Sequence, residues 1–324
     1  MSGTTINRCS PDRWKQDIIQ SVDLYNTWFM EFAPRAFRET RSGAAERVEQ
    51  ALKATNNLLN ISCELLKSNP EVLPILRMST CPPIARDRLI GLAGVSKTLV
   101  GSMEDKKNPR IPPRITIETL NRDLERLCGI IRKMADPDIF VWLNRQEIAT
   151  DIEIARAATI VADRLCGAVS DPIIRNAQEK RQLDAIGDWL RARKYRHTER
   201  IRFSDMEPGT YSFRTNIPVS ISGIDETALV NIPVDVAIMA EKSRVGDLPL
   251  LIEAKSAGDF TNVNKRRKEE AQKMAQLKNT YGDDVRFGLF LCGYFDTGYL
   301  GYEAAEGIDW VWEHRIDDLA LYGL

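Results

Sequence analysis

The chain has 324 residues, enough for two domains or for one large domain with an insertion. Hydrophobic residues make up 43% and charged residues 28%, which excludes a disordered or collagen-like chain. The 45 basic residues nearly balance the 46 acidic ones, so the net charge of -1 neither indicates nor excludes a polyanionic partner. The two histidines, His197 and His314, argue against a histidine-rich zinc site or a Ser/His/Asp triad. Any catalysis should therefore use carboxylates and lysines.

The six cysteines are scattered with no Cys-x-x-Cys pair, which predicts reduced thiols and not a zinc ribbon or a disulfide framework. No apolar run approaches the roughly 18 residues that a membrane span needs. The N-terminus, Met1 to Trp14, lacks the apolar segment of a signal peptide. We therefore expect a cytoplasmic protein with no membrane partner.

The first part of the chain is predicted to be helical. From Pro11 to about Lys67 apolar residues recur every three or four positions, with breaks expected near Ala33-Pro34 and Ser42-Gly43. Residues 86–100 weakly resemble a helix-turn-helix, with Ser96 as N-cap of the second helix. An ordinary capped helix pair accounts for the same residues. The charged, proline-containing residues 104–114 are the best linker candidate.

The second part of the chain is predicted to be α/β. Helical periodicity resumes after the linker and ends at an Asp171-Pro172 breaker, and one more helix follows from Ile173 to about Lys194. A helix from Asn264 to Asn279 then interrupts a series of β-rich runs bounded by Gly, Pro and Asp. These predicted strands are Thr210–Val219, Leu229–Ala240, Leu248–Ala254, Val285–Phe295 and Ile308–Trp312.

Two of the predicted strands carry charged residues at positions suited to metal binding or catalysis. Asp235 lies in the middle of an otherwise apolar strand, where an uncompensated carboxylate costs several kcal/mol and therefore requires a partner. On the next strand Glu253 and Lys255 share one face, about 7 Å apart. Both carboxylates together with the Ala254 carbonyl are the hard oxygen ligands that Mg²⁺ prefers, and Lys255 could then orient or activate a water molecule. A solvent-facing charged pair beside an edge-strand acid is the alternative.

The segment Ile232-Pro233-Val234-Asp235, followed by Glu253-Ala254-Lys255, resembles the PD-(D/E)XK motif of the restriction-endonuclease-like nucleases. Val234 stands where the motif has proline. Many members carry a further acid on the helix before the first strand, and the resemblance implies Glu179 as a fourth site residue. A helix-surface glutamate paired with a neighbouring Arg or Lys is the alternative for Glu179.

Residues 258–270 after this motif, together with the earlier region 91–96, are similar to type II restriction endonucleases of the XamI family over most of the chain. The resemblance implies a Mg²⁺-dependent, sequence-specific nuclease for double-stranded DNA, acting as a homodimer on a palindromic site such as GTCGAC and leaving 5′-phosphates. It also implies a cognate DNA methyltransferase as genetic partner. The expected fold is an α/β nuclease core over residues 171–324, a mixed sheet flanked by helices. It would be preceded by a mainly helical region over 1–108 that could contact DNA and by a linker with connecting helices over 109–170.

The predicted helix after Lys255 begins with a run of cations, at the end where the helix dipole disfavours positive charge unless an anion binds there. We predict that this turn and the asparagines beside it contact DNA, since Asn can read adenine and Arg guanine. The predicted DNA-binding residues are Asn262, Asn264, Lys265, Arg266, Arg267 and Lys268. A second basic stretch, residues 191–202, could follow backbone phosphates. Plain solvation is the alternative for both runs.

Two other functions remain open from the sequence. One is a structure-specific or RecB-like nuclease of the same fold in DNA repair. The other is a non-enzymatic DNA-binding regulator that uses the helix-turn-helix-like residues 86–100. Digestion of DNA distinguishes the three functions. A restriction endonuclease gives discrete fragments, a repair-type nuclease gives smeared products, and a regulator gives no cleavage.

Overall fold

The computed structural model describes residues 5–145, 148–199, 202–220, 229–244, 247–260 and 263–324, apart from the side chains of residue 203 and residues 263–266. The chain forms two compact units. The sheet unit comprises Met1–Phe32 and Ile174–Leu324, and the helical unit comprises Ala33–Ile173. All six cysteines are free thiols, as the sequence predicts. No helix in the described part of the chain is both long and apolar enough to cross a membrane.

The elements follow the chain in this order. The helices are α1 (Pro11–Ala54), α2 (Cys63–Ser68), α3 (Leu73–Met78), α4 (Arg86–Ala93), α5 (Lys97–Met103), α6 (Ile117–Met134), α7 (Trp142–Arg145), α8 (Asp151–Ala192), α9 (Val263–Tyr281) and α10 (Thr297–Ala305). The strands are β1 (Arg196–His197), β2 (Thr210–Ser220), β3 (Leu229–Met239), β4 (Leu250–Ala257), β5 (Arg286–Gly293) and β6 (Asp309–Trp312). Short 3-10 turns cover Pro70–Val72, Phe203–Asp205 and Glu313–Tyr322.

The helical unit has one apolar core, to which the amphipathic helix α6 contributes Leu124, Leu127 and Ile131, all fully buried. The predicted N-cap at Ser96 is confirmed: its hydroxyl accepts a hydrogen bond from the Leu99 N–H at 3.2 Å. The helix that Ser96 caps, α5, is seven residues long.

Three predicted helix breaks are wrong. Helix α1 continues through Pro34 and Gly43, and α8 continues through Pro172. A proline inside a helix removes one backbone hydrogen bond and costs about 3 kcal/mol. Burial along the same helices offsets that cost, since α1 buries Val48 and Leu52, and α8 buries apolar residues on both sides of its proline.

Within the described residues, six strands form one mixed sheet in the order β1-β2-β3-β4-β5-β6. The central pairs β2·β3 and β3·β4 are antiparallel, whereas β1·β2, β4·β5 and β5·β6 are parallel. The predicted mixed sheet with flanking helices is therefore present. All five predicted strands are found, with ends that differ by three residues or fewer, and the two-residue β1 is an addition.

Each face of the sheet is covered by helices. The C-terminal part of α8 packs Ile186 and Leu190 against Val236 of β3 and Ile252 of β4. On the opposite face α9 and α10 pack against β4, β5 and β6, and Leu277 of α9 is fully buried there. Strand β4 therefore lies between two helical layers, and a charged side chain on it can reach water only where the packing opens.

The N-terminal residues are held to the sheet by Asp309 of β6. Its carboxylate accepts backbone hydrogen bonds from Ile6 at 2.6 Å, Asn7 at 2.9 Å and Arg8 at 3.1 Å. The indole of Trp14 is buried against Trp310, with ring centroids 5.5 Å apart. These contacts explain why the start of the chain belongs to the sheet unit.

Candidate active site

The site lies where β3 and β4 separate. Their ladder pairs Ile238 with Leu250, Ala237 with Leu251 and Val236 with Ile252, and it ends there. The next pair in this register would be Asp235 and Glu253. The strands diverge at that point, and Asp235 Oδ2 accepts a hydrogen bond from the Ala254 N–H at 2.8 Å. A side chain thus satisfies the backbone group that the ladder leaves unpaired.

Two lysines bind the carboxylate of Glu253, one on each oxygen. Lys255 Nζ is 2.9 Å from Oε1, and Lys273 Nζ of α9 is 2.8 Å from Oε2. Lys273 also donates to the Pro233 carbonyl of β3 at 2.8 Å. Sequence reasoning predicted the proximity of Glu253 and Lys255 but missed Lys273.

Glu270 of α9 is a further carboxylate that the sequence prediction missed. It is 1% exposed, and its Oε1 lies 3.3 Å from Lys255 Nζ. The available signal was helical spacing, because Glu270 and Lys273 precede the buried Leu277 on α9 by seven and four residues and therefore share its face. A charged residue on the buried face of a helix requires a partner.

Burial and like charges raise the pKa of Asp235 to about 6: desolvation is the largest cause and repulsion by Glu253 the second. The hydrogen bond from Ala254 and the two lysines oppose this rise. For Lys255, burial lowers the pKa, but Glu253 and Glu270 outweigh it and the net shift is upward. Lys255 is therefore an ammonium group at neutral pH, and the carboxylates of the site repel one another.

A polar cleft of about 270 Å³ opens onto these groups from the α8 side. Arg175, Gln178, Glu179 and Gln182 recur along α8 at the spacing of one helix face. Gln182 Nε2 donates to the Lys255 and Phe290 carbonyls, both at 3.3 Å, and so ties α8 to β4 and β5. The lining residues are Arg175, Gln178, Glu179, Gln182, Asp235, Glu253, Ala254, Lys255, Ser256 and Glu269.

Glu179 lies in this cleft and is also ion-paired. Arg214 Nη2 of β2 is 2.8 Å from Glu179 Oε1, and the Arg214 side chain is 70% exposed. The backbone of Arg214 is left-handed, with φ of 51°, and β2 and β3 are not paired at this residue, which lies between the pairs Phe213–Val236 and Thr215–Val234. Both interpretations of Glu179 thus have a structural counterpart: it borders the predicted site, and it has an arginine partner.

Two carboxylates and a peptide carbonyl could hold a divalent cation here. The described residues contain no group of three or more His, Cys, Asp or Glu side chains arranged for a metal ion. A cation bound by Asp235, Glu253 and the Ala254 carbonyl would keep water or phosphate in its other positions, which suits Mg²⁺. Burial, and after it repulsion from Glu253, raises the pKa of Asp235, and a cation bound between these two carboxylates would relieve that repulsion. The residues present therefore fit the ion.

Only some of the predicted DNA-binding residues can be placed. Asn262 lies outside the described residues, as do the side chains of Asn264, Lys265 and Arg266. Lys268 is exposed on the first turns of α9, and the Arg267 guanidinium lies 5.0 Å from the centre of the Tyr302 ring.

In the second basic stretch three arginines have acidic partners on the protein. Arg191 pairs with Asp188, Arg193 with Asp317 at 2.9 Å, and Arg196 with Glu207 at 2.9 Å. These pairs fit a solvated, charge-balanced surface, and Arg200 of this stretch lies outside the described residues.

Comparison with known proteins places the chain in a family. A profile described as XamI restriction endonuclease matches residues 56–312. The chain is 52% identical over 321 residues to the type II restriction enzyme SalI of Streptomyces albus G, covering 98% of this chain and 99% of that protein. Among solved structures, protein VC1899 from Vibrio cholerae aligns with a TM-score of 0.28 and 12% identity over 85% of this chain; the chain spans 54% of the length of VC1899. The chain therefore belongs to the XamI restriction endonuclease family and is an endonuclease.

Proposed function

We propose that this protein is a type II restriction endonuclease that hydrolyses double-stranded DNA at a short palindromic site with Mg²⁺. The proposed site is GTCGAC, the products carry 5′-phosphates, and the biological role is restriction-modification defence. The observation that carries the proposal is the divergence of β3 and β4, which brings Asp235, Glu253 and Lys255 to one cleft. The 52% identity to a type II restriction enzyme over nearly the whole chain supports it.

We assign the cleft to a PD-(D/E)XK site, in which Asp235, Glu253 and the Ala254 carbonyl would hold Mg²⁺. When bound, the ion would lower the pKa of a water molecule and neutralise charge on the scissile phosphate. Lys255 acts as a charged hydrogen-bond donor and not as a base, because Glu253 and Glu270 raise its pKa against the effect of burial. It orients the attacking water and stabilises the negative charge that develops on the phosphate oxygens.

Hydrolysis in this site breaks the bond between phosphorus and the 3′ oxygen. The water oxygen attacks phosphorus in line, its proton is released, and the departing 3′ oxygen takes up a proton. The products are a 3′-hydroxyl and a 5′-phosphate. Glu179, which borders the cleft, is proposed as a fourth site residue, and the α9 residues Arg267 and Lys268 are proposed to contact the DNA backbone.

A palindromic target presents two scissile phosphates related by a two-fold axis, and a two-fold dimer would present one such cleft to each strand. We therefore propose a homodimer. A DNA methyltransferase of the same specificity would protect the host's own copies of the site.

Cleavage of plasmid DNA by the purified chain tests the proposal. With Mg²⁺ we expect discrete fragments whose sequenced ends carry 5′-phosphates within one repeated palindrome. Asp235→Ala and Lys255→Ala should abolish cutting, and both should still retain the specific DNA fragment in Ca²⁺. Smeared or end-dependent products would indicate a repair-type nuclease instead. Specific DNA retention without cleavage under any divalent metal would indicate a regulator.

A further inference from the structure

Both oxygens of Glu253 are bound to ammonium groups, Oε1 to Lys255 at 2.9 Å and Oε2 to Lys273 at 2.8 Å. Glu253 is 8% exposed, so water screens these ion pairs only weakly. A carboxylate oxygen that binds a divalent cation cannot keep an ammonium group in the same position, because the two positive charges repel. One of the two lysines must therefore give way when the site is loaded.

The two lysines differ in their second partner. Lys273 Nζ also donates to the Pro233 carbonyl at 2.8 Å, so it connects α9 with both β3 and β4 across the point where these strands separate. Lys255 Nζ lies between two carboxylates, with Glu270 Oε1 only 3.3 Å away. A carboxylate stabilises a buried ammonium group more than a neutral carbonyl does. Lys255 can thus leave Glu253 and remain paired, whereas Lys273 would exchange a carboxylate for a carbonyl.

We propose that Lys273 is a positioning residue that holds Glu253 by Oε2, and that Glu270 receives Lys255 when Glu253 Oε1 is needed for a divalent cation. This inference rests on the proposed function. It assigns two residues of α9 to the site, neither of which touches the reacting atoms. The predicted DNA contacts lie at the start of the same helix. The position of α9 on the sheet would therefore affect both DNA binding and the orientation of Glu253.

Metal binding and cleavage should respond differently to each residue. The probes are Ca²⁺ binding to the full chain without DNA, measured by calorimetry, and the single-turnover cleavage rate at saturating Mg²⁺. Lys273→Met removes a positive charge beside Glu253, so Ca²⁺ should bind as tightly as in the unmodified protein or up to about tenfold more tightly. Cleavage should nevertheless slow by about tenfold or more, because Glu253 loses its orientation. Lys273→Arg, which restores a donor to Oε2, should recover part of the rate.

Glu270→Gln should act in the opposite direction. Without the second carboxylate Lys255 stays on Glu253, so Ca²⁺ should bind about tenfold more weakly, and higher Mg²⁺ should restore most of the cleavage rate. Lys278→Met is the matched control, since Lys278 lies on the same helix but borders a separate cavity. It should change neither readout.

Several results would overturn the inference. Cleavage by Lys273→Met at the unmodified rate would remove its positioning role. Weaker Ca²⁺ binding by Lys273→Met with a lower melting temperature and no recovery in Lys273→Arg would make Lys273 merely structural. Unchanged Ca²⁺ affinity in Glu270→Gln would exclude the transfer of Lys255. If the unmodified protein binds Ca²⁺ but cuts no DNA, the proposed function is wrong. The Ca²⁺ affinities of the Glu270→Gln and Lys273→Met variants would then still test how Lys255 is held.

Discussion

Replacement of Asp235 by Asn should stabilise the metal-free protein at neutral pH. Burial and the Glu253 carboxylate raise the pKa of Asp235 from 3.8 to about 6. Asparagine has nearly the same shape, its side-chain oxygen can still accept the Ala254 N–H, and it carries no charge. The substitution therefore removes the repulsion from Glu253 without removing the hydrogen bond.

The size of the effect follows from the pKa shift. A rise of about two pKa units corresponds to about 3 kcal/mol, at 1.36 kcal/mol per unit. Burial of the asparagine amide offsets part of this, so a gain of about 1–3 kcal/mol is expected. For a unit of this size that gain raises the melting temperature by roughly 2–4 °C per kcal/mol.

The gain should depend on pH in a defined direction. An acid with a raised pKa binds more protons in the folded state than in the unfolded state, so its contribution to stability falls as pH rises from about 4 to about 6. Above that window the cost of the charged Asp235 is fully present, and below it Asp235 is protonated in both states. The advantage of Asp235→Asn should therefore be large at pH 7.5 and nearly absent at pH 4.

Thermal unfolding of both proteins in a metal chelator, at pH 7.5 and pH 4, measures this difference. Added Mg²⁺ should then raise the melting temperature of the unmodified protein more than that of the variant, because a ligand stabilises the state that binds it. Asp284→Asn, an exposed acid in the turn before β5, is the control and should shift stability little. An equal or lower melting temperature for Asp235→Asn at pH 7.5, or the same gain at pH 4, would refute the electrostatic reasoning.

Three further predictions concern other parts of the molecule. Burial, followed by repulsion from Glu270, raises the pKa of Glu303 from 4.5 to about 8, so its contribution to stability should fall as pH rises from about 4.5 to about 8 in the unmodified protein. Glu303→Gln should flatten that fall in urea unfolding, and an unchanged slope would contradict the assignment. Asp309→Ala removes the acceptor of four backbone N–H groups, those of Ile6, Asn7, Arg8 and Trp310, and should cost about 2–4 kcal/mol, with earlier proteolysis at the N-terminus. Unchanged proteolysis would argue against the anchor. Ser96→Ala removes the α5 cap and should cost about 1 kcal/mol of unfolding free energy, whereas Ser96→Gly should cost only a few tenths. An unchanged unfolding free energy in Ser96→Ala would mean that the hydroxyl does not stabilise α5 as a cap.

Strand alternation was enough to predict part of the site. Glu253 and Lys255 are two residues apart on one strand, so their proximity is a local property of extended backbone. Asp235 could be singled out because a lone acid in an apolar strand requires a partner. Lys273 and Glu270 were not predicted, because their distance from Glu253 depends on how α9 is rotated against the sheet, and that rotation is set by the burial of residues such as Leu277.

The predicted helix breaks were wrong because a local signal was outweighed by burial elsewhere on the same helix. Pro34 and Pro172 disfavour helix locally, and the sequence offers no direct measure of the burial that outweighs them. The structure keeps both helices continuous because apolar residues on each are buried, and their packing exceeds the local cost of a proline.

The sequence by itself predicted most of the composition of the fold, namely helices first and then five strands and a helix, because hydrophobic periodicity and turn residues are local signals. The short β1 and helix α10 were not predicted. It also determined which charged residues lie in otherwise apolar strands. Only the tertiary structure decided that β3 and β4 separate after Val236 and Ile252, and that α9 supplies Lys273 and Glu270 to the gap. The reason is physical: strand register and helix rotation minimise the free energy of the whole packed core, and no short segment contains that information.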